Sequence, residues 1–229
     1  MKFSEFLPLY KQHEKPASTK YHKYVSKNGA KLFSYIAIKL GITPNQVSLI
    51  STILIIVGCG LLLAENTALN LLAIAIIQLS YICDCSDGVV ARLTKTSSKF
   101  GGYLDVTLDR ITGLFLYGTI ILYSINSSTS ENEIYVITFS LFVIYSYQIS
   151  SSFRLYHFPE LKDYMKKGKR SLISKCVSFV YEFIDSGILY LILTLSAIVG
   201  ILPYVTFIYG LTAVLLFAGN MLILYKVEK

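Results

Sequence analysis

Charge is scarce in this chain, and its basic residues avoid half of the loops. Asp, Glu, Lys and Arg supply 15% of the 229 residues, 54% are hydrophobic, and the mean hydropathy is +0.57. That balance excludes a soluble domain of this size. Cysteine is sparse too. Cys59, Cys83, Cys85 and Cys176 form no metal-binding or redox spacing. Cys83 and Cys85 flank Asp84. Residues two apart point to different faces of a helix, so both read as small packing residues. His13, His22 and His157 are scattered and read as surface residues. Tryptophan is absent, and the 18 tyrosines cluster near the ends of apolar runs, as an aromatic belt requires. The strict alternation of a membrane barrel is missing, as are internal repeats, low-complexity tracts and a second domain.

What is there is a series of apolar runs of about 20 residues, the length that crosses a bilayer core of ~30 Å. Six are predicted, over 47–64, 69–90, 103–124, 134–152, 184–201 and 204–224. Backbone polar groups in lipid must be satisfied internally, so these are helices. The first lies too far along, behind a polar arm, to be a cleavable signal peptide. The formal charge of +7 is concentrated in that arm, in the turn with Arg92, Lys95 and Lys99, in the loop from Arg154 to Lys175, and in the tail with Lys226 and Lys229. The loops "ENTA", "INSSTSENE" and "LPY" carry neither Lys nor Arg. An even number of spans puts every basic loop on one side. The positive-inside rule then places both termini in the cytoplasm, in the inner membrane if the source is prokaryotic. The basic charge marks topology and an anionic lipid surface, not a nucleic-acid partner.

The expected fold is thus an all-α polytopic membrane protein with six spans and one amphipathic surface helix. Residues 1–42 form the cytoplasmic arm and 43–229 the membrane domain. Within the arm, Tyr24, Val25, Leu32, Phe33, Ile36 and Leu40 recur among lysines, predicting an interfacial helix over 21–40 that stops at Gly41. "TPN" at 43–45 starts the first span, with Thr43 as cap and Pro44 at the first helical position.

Four acids then sit inside apolar helices. An intramembrane charge costs ~2.5–3.5 kcal/mol on insertion scales, so these must face the bundle interior or a wet cavity. At about 100° per residue, Asp84 and Asp87 lie ~60° apart around one helix, and Asp105 and Asp109 ~40° apart around the next. The connecting turn "RLTKTSSKFGG" is short, predicting antiparallel neighbours with both pairs at similar depth. Four converging carboxylates cannot all stay ionised without cations, and an all-oxygen site suits Mg²⁺ or Mn²⁺ where phosphate is also a ligand. Gly88, Ala91, Gly101 and Gly102 remove bulk beside the acids and leave a groove for a nucleotide.

Asp84, Asp87, Gly88, Ala91, Arg92, Gly101, Asp105 and Asp109 match at all eight positions the signature of the CDP-alcohol phosphotransferase family, which this chain resembles. The resemblance implies a six-helix bundle with a cytoplasm-facing polar cavity, usually homodimeric. It implies transfer of a phosphoryl-alcohol group from a CDP-alcohol, often CDP-diacylglycerol, to an acceptor hydroxyl, with release of CMP. It implies two divalent ions, Mg²⁺ or Mn²⁺: one held by Asp84, Asp87 and Asp105, the second by Asp84, Asp105 and Asp109, with Asp109 also the general base. Gly88 and Arg92 would contact the CDP part, as would Ser98. "TPNQVS" keeps a hydroxyl where the family often has Thr, so Asn45 and Ser48 carry over to the donor site.

Other readings stay open. The donor is a CDP-linked lipid or a soluble CDP-alcohol. The acceptor is a small polar alcohol such as inositol phosphate, glycerol phosphate, inositol or serine, with Arg154 and Arg110 as candidates for binding it. A cation-coupled transporter would also carry intramembrane acids, but it leaves the glycine, alanine and arginine positions unexplained.

Overall fold

In the computed structural model, the described residues are 2–15, 19–64, 66–127, 129–157 and 186–227. They are helical, with no strand among them. The helices are α1 (Phe3–His13), α2 (Lys27–Leu40), α3 (Pro44–Leu62), α4 (Thr67–Leu93), α5 (Lys99–Asn126), α6 (Glu131–His157), α7 (Ser186–Val199) and α8 (Leu202–Val227), with a π turn at His22–Ser26 leading into α2. Five of these, α3 to α6 and α8, are long and apolar enough to cross a membrane. α7 is equally apolar but has 14 described residues. The fold is that of a polytopic membrane protein. The basic loop over 158–175, Cys176 and the side chain of Arg154 lie outside the described residues.

Local chemistry sets the boundaries that position the site. Gly41 ends α2 with φ +72°, a left-handed conformation that suits glycine. Thr43 and Gln46 then form a reciprocal capping box, and Pro44 opens α3 where its missing N–H costs nothing. Ser98 caps α5 by accepting from the Gly101 N–H at 2.9 Å.

α3 is the axis of the half that carries the acids. It packs along both α4 and α5, whereas α4 and α5 make few backbone contacts with each other. The two acid-bearing helices are therefore not the close neighbours that the short turn suggests. α3 is wedged beside them and a cleft stays open. The α3–α4 contact depends on Gly58: a Cβ there would stand 2.7 Å from Ile77 Cγ1 and 3.3 Å from the Ala73 carbonyl. Since backbone cannot retreat as a side chain can, Gly58→Val is expected to destabilise the purified protein by about 2 kcal/mol or more, read as a lower unfolding temperature. An unchanged unfolding temperature would refute that contact.

The apolar core, with Ile77, Leu116, Ile120, Leu141, Ile144, Leu189 and Leu193 at its centre, joins α4 to α7 and involves α3 and α8 as well. The arm holds a helix that ends at Gly41 as the sequence suggests, and this helix also docks on the bundle. α2 packs on α4 through a stripe of small residues: Gly29 meets Ile82, Ser34 reaches the Ser86 carbonyl, and Ala37 joins Val47, Cys83 and Val90. Tyr24, Val25, Leu32, Ile36 and Leu40 point outward. The helix is amphipathic: its small face holds the bundle and its apolar residues stay exposed. α1, which the sequence pattern did not suggest, docks on the end of α4 with Phe6 and Tyr10 buried against Val89.

Candidate active site

α4 and α5 bring three carboxylates to one place. One oxygen each from Asp84, Asp105 and Asp109 lie within 4.8 Å of one another. Oxygens on opposite sides of a single Mg²⁺, Mn²⁺ or Ca²⁺ are separated by about 4–5 Å, so this spread fits one ion. Asp84 and Asp109 are in side-chain contact, as are Asp87 and Asp105. Carboxylate oxygens only accept hydrogen bonds when ionised, and charges this close repel by about 3 kcal/mol per pair at an effective dielectric constant near 20. The donor set is all oxygen and asks for cations. Asp87 is not one of that trio, though it touches Asp105, and its Oδ2 accepts from Ser48 Oγ.

α3 matches the α4 acids with hydroxyls at the same spacing. Ser48 serves Asp87, and Ser51 donates to Asp84 Oδ1 at 3.4 Å. Ser48 and Ser51 are three residues apart, as are Asp84 and Asp87, so adjacent helices pair them turn by turn. Ser51 escaped the sequence reading, although its spacing from Ser48 carried the signal.

The acids border three cavities. The first, of about 190 Å³, is lined by Asn45, Ser48, Gly88, Arg92 and Ser98, together with Asp87, Asp105, Gly101 and Gly102. All five residues assigned by resemblance to a donor site thus open onto one space. The amino terminus of α5 also opens there through Ser98, Gly101 and Gly102, and the positive end of its dipole suits an anion such as phosphate. Two glycines keep that space clear. A Cβ at Gly88 would meet Arg92 Nη1 at 3.2 Å, and one at Gly101 would meet Ser98 Oγ at 3.1 Å and Asn45 Oδ1 at 3.3 Å.

The second cavity, about 230 Å³, meets the trio through Asp84 and Asp109. It is lined by Asp84, Asp109, Arg110, Ser51, Thr112, Gln148 and Tyr190, among others. Gln148 also accepts from Tyr117 Oη at 3.1 Å. Gln148 and Tyr190 come from α6 and α7, and only tertiary packing brings them here. Arg110, proposed on sequence for acceptor binding, therefore lines the site, while Arg154 is in the last turn of α6 with its side chain outside the described residues.

The third cavity, about 220 Å³, has all four acids on its wall and the arm opposite, through Tyr10, Glu14, Lys15, His22 and Lys27. His22 is thus a site neighbour and not the plain surface residue expected. Cys85 borders the second and third cavities, while Cys83 is buried near Val47.

Comparison with known proteins adds a family. A family model for CDP-alcohol phosphatidyltransferases matches residues 41–217. Archaetidylinositol phosphate synthase of Pyrococcus horikoshii is 38% identical over 73 residues, which is 32% of this chain and 37% of that protein. Phosphatidylinositol phosphate synthase of Corynebacterium glutamicum is 44% identical over 85 residues, 37% of this chain and 38% of that protein. A bifunctional IPC transferase and DIPP synthase of Thermococcus kodakarensis is 42% identical over 77 residues, 33% of this chain and 17% of that protein. The matched segment spans well under half of each of these relatives.

Proposed function

The chain belongs to the CDP-alcohol phosphatidyltransferase family, and from that premise we propose that it transfers a phosphatidyl-type group from a CDP-linked lipid to the hydroxyl of a small polar acceptor, releasing CMP, in phospholipid synthesis. The observation that carries this reading is the meeting of both halves of the signature. Carboxylates from α4 and α5 gather within 4.8 Å beside the cavity that receives Asn45, Ser48, Gly88, Arg92 and Ser98. A transporter reading gives that second set of residues nothing to do.

The first cavity takes the CDP part. Bare backbone at Gly88 and Gly101 admits it, Asn45 and Ser98 offer hydrogen bonds, and Arg92 and the start of α5 face its phosphates. The second cavity takes the acceptor, with Arg110, Thr112 and Gln148 as polar contacts. Asp109 borders this space, so its carboxylate is set to take the proton of the acceptor hydroxyl. The hydroxyl oxygen bonds to the phosphorus that carries the lipid alcohol. The bond from that phosphorus to the bridging oxygen breaks, and CMP leaves with the oxygen and its electron pair. Asp84, Asp87, Asp105 and Asp109 are the residues that would hold two ions, Mg²⁺ or Mn²⁺. When bound, such ions neutralise charge on the phosphates.

Two relatives are named as synthases of inositol phosphate lipids, so we assign an inositol phosphate as the acceptor. The apolar spans that carry the acids favour CDP-diacylglycerol or a similar lipid donor over a soluble CDP-alcohol. The apolar sequence around α7 supports a sixth span. The basic loops support cytoplasmic termini, in the inner membrane of a prokaryote, and the family supports a homodimer. Purified protein given CDP-diacylglycerol and a panel of acceptors is expected to yield one mass-identified lipid, with inositol phosphate. A product formed only from a soluble CDP-alcohol would redirect the donor assignment, and no product with any pair would defeat the reading.

A further inference from the structure

α1 is small, yet it is tied at several points to α2 and, through Val89 and Arg92, to the end of α4 that borders the nucleotide cavity. Phe6 and Tyr10 are 0% and 1% exposed. Phe6 packs on Tyr35 with ring centroids 5.5 Å apart, Tyr10 Oη donates to the Lys27 carbonyl, and Glu14 pairs with Lys27 at 3.1 Å. Burial pushes the Tyr10 phenol up to about 12, so it stays a neutral donor at any physiological pH. The last carbonyls of a helix have no partner within it. Here one of them, from His13, accepts from Arg92 Nε at 2.6 Å. Arg92 thereby caps α1 at the negative end of its dipole while its Nη atoms lie over Gly88. Two residues on, Lys15 lines both the nucleotide cavity and the cavity walled by the four acids, and its charge acts on Asp105.

We propose that α1 is a working part of the nucleotide site: it fixes Arg92 through the His13 carbonyl and brings Lys15 to the phosphates of the CDP moiety. This rests on the donor reading of the first cavity. A nucleotide diphosphate brought to a wall of carboxylates needs fixed positive charge at its rim. Arg92 and Lys15 supply it from two separate segments of the chain, so the arm covers the phosphates as well as binding the bundle. Helix docking and phosphate binding are then coupled, because both converge on Arg92.

The test uses the purified full chain with Lys15→Ala, Lys15→Arg and Phe6→Ala, and reads both steady-state kinetics and calorimetric binding of CDP with Mg²⁺. Lys15→Ala is expected to raise KM for the CDP-lipid and Kd for CDP about tenfold, with kcat within about twofold. Lys15→Arg restores most of the affinity. Phe6→Ala, which loosens α1, shifts both constants the same way. Unchanged donor KM and CDP binding in Lys15→Ala overturns the proposal, and so does a rise confined to the acceptor KM. If wild-type protein binds CDP but releases no CMP from any donor, the transfer reading fails, while the effect of Lys15→Ala on CDP binding still decides the role of the arm.

Discussion

Asp109→Asn is expected to cut kcat for CMP release by about 10³-fold or more, with the donor KM changed by no more than about threefold. The asparagine is nearly the same size, so packing around α5 survives. What it removes is the group that can accept a proton beside the acceptor cavity, a role worth about 10²–10⁴-fold in general-base catalysis. It also removes one of the three oxygens within 4.8 Å of each other. The donor cavity is left intact, because Asp109 does not line it. A variant that keeps a tenth or more of wild-type kcat would show that another group takes the proton.

The second large effect concerns Asp84, which touches Asp109 and accepts from Ser51. Losing a mere outer-shell partner typically weakens metal binding 10–100-fold, so loss of a carboxylate ligand sets about 100-fold as a floor. Asp84→Asn is expected to lower Mn²⁺ affinity by at least that much, as measured by electron paramagnetic resonance titration. Stability separates this from simple damage. Without metal, removing one of several crowded charges relieves repulsion of about 3 kcal/mol per pair, so the variant unfolds at the same temperature as wild type or higher. With Mn²⁺ added, wild type gains stability by ligand linkage and the variant does not. A metal-free variant markedly less stable than wild type, or one still stabilised by Mn²⁺, would mean that Asp84 serves packing.

The acid site was legible in the sequence because helix geometry is nearly rigid. Spacings of three and four residues fix a shared face whatever surrounds it, so the two acids of α4 and the two of α5 reach the wall of one cavity. The caps at Gly41, Thr43 and Pro44 were legible for the same reason, since each depends on a local conformation. The wedge of α3 beside α4 and α5 was not, because it depends on close approach at Gly58, a contact between distant residues. Gln148 and Tyr190 were hidden likewise in apolar helices that reach the site only through packing. The arm's packing on the bundle was hidden for a different reason. Its apolar residues stood out, but its binding face is made of Ser26, Gly29, Ala30, Ser34 and Ala37, residues that announce nothing singly. α1 is short and includes Pro8, which hid its helical pattern.

Divalent ions held by the carboxylates of α4 and α5 are proposed to drive cleavage of a CDP-alcohol. The most direct measurement is CMP release from CDP-diacylglycerol by the purified full chain with inositol phosphate, in Mg²⁺ or Mn²⁺ and again after chelation with EDTA. Release is expected with either metal, abolished by EDTA and restored by adding the ion back. Release that continues undiminished in EDTA, or none with any metal and acceptor, would contradict that role.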